Sequence, residues 1–132
     1  MKSIRVSAAV IHKDGKIFAT QRGYGEYKGK WEFPGGKREE GESGEEALNR
    51  EIKEELDSII NIETLICTTD FDYPTFHLTM DVYLASLVEG KLTLLEHEDA
   101  KWVSLDSIDS LDWLPADWSV IEEIKRHFAS RL

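Results

Sequence analysis

Three acidic residues stand where chemistry is easiest to place: Glu51, Glu54 and Glu55, in the run Arg50-Glu51-Ile52-Lys53-Glu54-Glu55. On a helix, about 100° per residue gathers the three carboxylates into an arc of about 100°. Like charges one turn apart repel, and burial beside an apolar edge sharpens the conflict. A divalent cation removes it, because hard oxygen ligands on one rigid face suit Mg²⁺ or Mn²⁺. Ala47 falls on the same arc and is small enough to leave room for an ion and its substrate. Glutamate-rich helices also occur as plain solvated faces, so the three acids alone decide nothing.

What must position them is a helix and the strand before it. Ser43 followed by Glu46 has the form of a capping box, which predicts a helix starting at Gly44. Leu48, Ile52 and Leu56 recur every fourth residue and define its inward face. Upstream, Trp31-Glu32-Phe33-Pro34 reads as a short strand running into the pair Gly35-Gly36. A strand, a glycine turn and an acidic helix form a compact holder for a metal-bound anion. The Gly35 carbonyl, unshielded by any side chain, is a further oxygen ligand in reach.

The string as a whole carries more than its parts. Gly36, five residues, Glu42, seven residues and then Arg50 to Glu55 resembles the signature of the Nudix hydrolases. The resemblance implies metal ligation by Glu51, Glu54 and Glu55 with the Gly35 carbonyl. It also implies that Arg50 supports the catalytic glutamate and that Glu42 is structural. Asp57 and Ser58 depart from the pattern, which closes with glycine and an aliphatic residue. The glycine would be a left-handed helix stop, a role Asp tolerates.

Over most of its length the chain looks closest to the MutT-like branch of that family. The likeness covers the opening hairpin, WEFPGGK, the acidic helix, a strand ending in KWV, and LPADWSVI. It implies that Arg22 binds phosphate and that Glu96, six residues before Trp102, binds metal or acts as base. Whether Glu51 or Glu96 takes the proton stays open. Lys37 of WEFPGGK joins the expected substrate contacts. By the same likeness Asp117 hydrogen-bonds the base; its plainer role is N-cap of the last helix. An ionised Asp only accepts, favouring an exocyclic amine, whereas a protonated one also donates. Phe33, Phe76 and Trp118 are candidate stacking partners, though aromatics at such places more often belong to the core.

The activity implied is Mg²⁺-dependent hydrolysis of a nucleoside triphosphate to the monophosphate and pyrophosphate. Cytidine nucleotides and modified deoxynucleotides lead the substrate list, with oxidised guanine nucleotides close behind. A nucleoside diphosphate linked to another group, such as ADP-ribose, is the alternative; a catalytically silent nucleotide sensor is the remote one.

Composition bounds the rest. A length of 132 residues predicts a single domain over 1–132 with one hydrophobic core. A net charge of −10 argues against a nucleic-acid polymer as partner. Residues 1–38 carry nine Lys/Arg against three Asp/Glu, and residues 39–132 carry seven against 23. A basic segment feeding an acidic helix suits an anionic substrate bridged by metal. The single Cys67 excludes an internal disulfide and fits a reducing cytoplasm. No run approaches membrane-spanning length, and the N-terminal residues lack a secretory signal. A monomer or a homodimer is expected. Strand patterns at 3–12, 17–22, 59–69, 76–84 and 101–103, a short strand after Gly90, a short helix within 104–111 and an amphipathic helix over 117–132 give the fold class. It is α/β (α+β), a mixed β-sheet sandwiched between helices.

Overall fold

The apolar run near the N-terminus folds as β1 (Lys2–Lys13), which turns at once into β2 (Lys16–Gln21). Asp14 and Gly15 join them with φ of 51° and 76°, the doubly left-handed turn that matches strand twist. The computed structural model describes residues 2–129. After β2 come β3 (Trp31–Glu32), β4 (Gly35–Lys37), α1 (Gly44–Leu56), β5 (Ile59–Tyr73), β6 (Phe76–Glu89), β7 (Asp99–Ser104), a 3₁₀ turn (Ile108–Ser110) and α2 (Pro115–Ala129).

The sheet runs β3-β2-β1-β6-β5, with β4 also paired to β1 and β7 to β2. β1 and β6 are parallel, from Lys2 opposite Phe76 to Ile11 opposite Ala85, and the other named strand pairs are antiparallel. Parallel neighbours need a long crossover, and α1 lies within it. Because alternate residues of a strand point to opposite faces, β1 serves two layers. Ala9 and Ile11 pack with Leu48, Ile52 and Leu56 of α1. Val10 packs in the layer of Val120, Ile121 and Ile124 of α2. The expected mixed sheet between helices is therefore present. Each of those fully buried aliphatic side chains contributes about 2 kcal/mol through removal from water. Among the described residues no helix is long and apolar enough to cross a membrane.

Several local expectations need correction. No strand forms between Gly90 and β7: the N–H groups of Leu92, Thr93 and Leu95 donate instead to Ser58 Oγ, the Leu56 carbonyl and the Glu55 carbonyl. The strand at Trp31 stops at Glu32, since Pro34 lacks an N–H for a ladder. The helix expected within 104–111 is one 3₁₀ turn. The last helix begins at Pro115, where proline's fixed φ suits a first helical position, so Asp117 lies in its first turn and is not its cap. The expected reach of that helix to Leu132 passes outside the described residues.

Candidate active site

α1 is built as its sequence dictates. Ser43 Oγ accepts from the Glu46 N–H at 3.1 Å and Glu46 Oε1 accepts from the Ser43 N–H at 2.9 Å. The helix ends at Asp57 in the left-handed conformation (φ 47°, ψ 46°), whose N–H donates to the Lys53 carbonyl. Buried Ser58 then donates its hydroxyl to the Leu56 carbonyl at 2.9 Å. The two residues that depart from the family pattern thus complete the helix stop between them.

Arg50 is the hub of the acidic face. It grips Glu42 with Nε and Nη2 at 2.8 and 2.9 Å, and donates through Nη1 to Glu51 at 2.9 Å. It also donates to the Lys37 carbonyl at 2.9 Å and to Glu54 at 3.3 Å. Under the Arg50 bonds, with help from the Glu39 N–H, the Glu42 carboxyl falls to about 2. Glu51 is thereby held in place, and Glu42 anchors the loop below the helix.

β4 presses against this face. A Cβ on Gly35 would lie 2.0 Å from the Ser7 carbonyl oxygen, and one on Gly36 would lie 2.4 Å from the Glu51 carboxyl carbon. Only glycine admits such an approach. Gly35, Gly36, Lys37, Glu51 and Glu55 all border a cavity of about 540 Å³.

The segment after β6 brings in the next residues. Because Thr93 and Leu95 bond the last turn of α1, Glu96 and His97 are delivered to the cavity wall beside Glu55. His97 Nε2 lies 3.9 Å from Glu55 Oε2, and that oxygen has no hydrogen-bond partner. Burial first, then the charges of Glu51, Glu96 and Glu32, push the Glu55 carboxyl up to about 9. Burial also lowers the His97 pKa.

The other side of the cavity is lined from α2. Asp117, only 4% exposed, is raised well above the usual carboxylate range by burial and then by Glu32, against the pull of Arg22 and the Phe33 amide. Arg22 is itself gripped by Glu32, with Nε to Oε2 at 3.0 Å and Nη2 to Oε1 at 2.8 Å. Phe33 stacks on Trp113 and Phe76 on Tyr73, and both Phe33 and Phe76 also border the cavity.

Of the residues singled out by sequence, the cavity wall brings together Arg22, Phe33, Gly35, Lys37, Glu51, Glu55, Phe76, Glu96 and Asp117. Arg50 supports Glu51 from behind. Glu54 is set apart: its side chain is 58% exposed and reaches only Arg50. Trp118 is exposed on α2 and away from the wall. Cys67 is half-buried against the core, where burial lifts its thiol to about 11, so it is no nucleophile. Sequence reasoning passed over Glu32, although an acid inside the apolar run WEFP is a signal, and His97, for which the sequence offered none.

The donor set fits a divalent cation. A buried carboxylate with an orphaned oxygen, crowded by Glu51 and Glu96, is what a hard cation would relieve. Among the described residues no three acidic, histidine or cysteine side chains converge into a closed shell. Glu51 is drawn toward Arg50 and Glu54 lies outside, so the acids expected as ligands do not enclose an ion.

The glycine pair expected to turn is instead part of strand β4, and an acidic helix behind it, on a mixed sheet between helices, is the architecture of a nucleotide-anhydride hydrolase; comparison with known proteins makes the class definite. The NUDIX domain family matches residues 1–124, and the chain belongs to the Nudix family of hydrolases, in its MutT-like branch. It is similar to the 8-oxo-dGTP diphosphatase of Escherichia coli, 32% identical over 96% of this chain and 99% of that one. It is likewise similar to the CTP pyrophosphohydrolase of the same organism, 32% identical over 99% and 98%. The crystal structure of a MutT Nudix hydrolase from Burkholderia pseudomallei superposes with a TM-score of 0.83 at 30% identity, covering 94% of this chain and 99% of that one.

Proposed function

We propose that the protein hydrolyses a nucleoside triphosphate to the monophosphate and pyrophosphate, with the base read by Asp117 and the phosphates held at the α1 wall. The observation that carries this reading is one cavity bordered by the acids of α1 on one side and a buried Asp117 of raised pKa on the other, with Glu32 acting on both.

The residues that would hold a Mg²⁺ ion are Glu51, Glu55 and Glu96 with the Gly35 carbonyl, and Glu54 from the outer side. Such an ion supplies neutralisation of phosphate charge and a more acidic water. Arg22 offers its guanidinium to phosphate, and Lys37 adds a second cation at the same wall. Arg50 orients Glu51 through its hydrogen bond, so that Glu51 or Glu96 can accept the proton of the attacking water.

A carboxyl kept protonated at neutral pH both donates and accepts. Asp117 therefore complements an acceptor beside a donor, as on the N3/N4 edge of cytosine or the O6/N1 edge of guanine and its oxidised form. Phe33 and Phe76 supply flanking aromatic surface.

The deciding assay offers CTP, dCTP, 8-oxo-dGTP and ADP-ribose with and without Mg²⁺. Pyrophosphate released from a triphosphate, only with metal, supports the reading; turnover of ADP-ribose alone overturns it. In ¹⁸O water, label in pyrophosphate marks attack at the β-phosphorus, whereas label in the monophosphate places it at the α-phosphorus.

A further inference from the structure

On the α1 face of the sheet, away from the cavity, lies a buried charge that the chemistry does not use. Asp81 on β6 is 3% exposed. Arg5 on β1 donates to it twice, Nε to Oδ2 at 2.9 Å and Nη2 to Oδ1 at 3.1 Å, and Thr68 donates at 2.8 Å. Arg38 Nη1 approaches the same carboxylate at 3.8 Å. Burial alone would raise the Asp81 pKa; Arg5 and Thr68 outweigh it and hold the carboxylate ionised. A buried ion pair is often no more stabilising than apolar packing of equal volume, so its use is better sought in what it positions.

What it positions is the loop in front of α1. Arg38 is the first residue after β4, and its N–H donates to the Arg5 carbonyl at 3.0 Å. Its Nε donates to the Glu42 carbonyl at 2.8 Å. Glu42 in turn is the residue Arg50 grips, and Arg50 holds Glu51. The chain of contacts runs unbroken from Asp81 through Arg38, Glu42 and Arg50 to the Glu51 carboxylate. A parallel tether joins Ser7, the β1 partner of Asp81, to the first turn of α1 through Ser7 Oγ and the Gly44 carbonyl at 2.8 Å. Gly36 of β4 lies so close to the Glu51 carboxylate that a side chain there would collide with it, so the placing of β4 bears on that carboxylate as well.

We propose that Asp81 is a positioning residue for Glu51, acting through Arg38, Glu42 and Arg50. The inference rests on the hydrolytic reading of the site. The relay lies on the α1 face, whereas Asp117 belongs to α2, so the effect falls on turnover and metal activation and spares nucleotide affinity.

The test compares Asp81→Asn, Arg38→Gln and, as a control for stability alone, Ile124→Val in the α2 core. For Asp81→Asn and Arg38→Gln, kcat falls about 10-fold and half-activating Mg²⁺ rises about as much, while KM for the nucleotide stays within about twofold. The double variant loses no more than the larger single loss, since both break one chain. Ile124→Val lowers Tm and leaves kcat unchanged. Should Asp81→Asn prove insoluble, Arg38→Gln alone decides. Wild-type kcat in Arg38→Gln, or losses in KM equal to those in kcat, overturns the proposal. A wild-type protein that turns over no nucleotide with Mg²⁺ would instead sink the hydrolytic reading beneath it.

Discussion

The α1 wall and the α2 wall of the cavity both withdraw carboxyl groups from water, and they treat them differently. At α1 a fixed guanidinium, Arg50, compensates Glu42 and Glu51, leaving Glu55 with neighbours of its own sign. At α2 the carboxyl facing the cavity is buried Asp117, and the cation that acts on it, Arg22, is already committed to Glu32. The first arrangement stores negative charge for a cation to collect. The second lessens it, because burial raises the Asp117 pKa and favours the neutral form. One residue class thus serves charge handling on one side and hydrogen-bond reading on the other.

Substitutions can break that contrast, and the largest effect belongs to α1. Glu55→Gln and Glu51→Gln are expected to lower kcat by about 10³-fold at saturating Mg²⁺, while exposed Glu54→Gln loses about 10-fold. Equal losses at all three, measured by pyrophosphate release, would erase the distinction between wall and rim. Next comes Arg50→Lys, which keeps the charge but not the fork; about 30-fold lower kcat with unchanged KM is expected. At α2 the neutral state makes a sharper test. Asp117→Asn preserves a donor and an acceptor and stays within about fivefold of wild type in kcat/KM, whereas Asp117→Ala loses about 20-fold or more. If Asn proves as damaging as Ala, the carboxyl works ionised and the contrast fails.

The smallest effect is on stability. The folded pKa of Glu55, about 9, lies above its ordinary 4.5, so the folded chain holds a proton the unfolded chain releases. Stability without metal therefore falls as pH rises from about 4.5 to about 9. Asp117 acts in the same direction. Glu55→Gln removes the first contribution and is expected to raise Tm by about 5 °C at pH 8 in chelator, an advantage that added Mg²⁺ diminishes. A lower Tm for the variant in chelator would show that Glu55 is compensated by something other than a cation.

How much could be read beforehand follows from where the information lies. The capping box of Ser43 and Glu46, the four-residue repeat of Leu48, Ile52 and Leu56, and the Asp14-Gly15 turn are local, and each formed as its chemistry requires. The acids of α1 were legible for the same reason. The segment 91–98 was not, because its N–H groups bond the end of α1, some forty residues away in sequence. Nothing near Leu92 discloses that partner. Asp117 looked like a cap because Asp caps well; Pro115, two residues earlier, was the stronger start signal. The grip of Glu32 on Arg22 depends on the pairing of β2 with β3, and the approach of His97 to Glu55 on the same bonds of the 91–98 segment to α1, so neither contact was visible locally.

Asp57 and Ser58 carry a consequence for recognising kindred chains. What the end of α1 demands is a left-handed residue and something to satisfy the Leu56 carbonyl, and here an aspartate and a hydroxyl do both. Ser58 Oγ additionally receives the Leu92 amide and so moors the strand of chain that presents Glu96. A search template insisting on glycine there would discard proteins whose acidic helix is intact, and exchanging Asp57-Ser58 for the commoner pair would remove the hydroxyl's bond to the loop that completes the pocket, leaving the Thr93 and Leu95 amides to hold it.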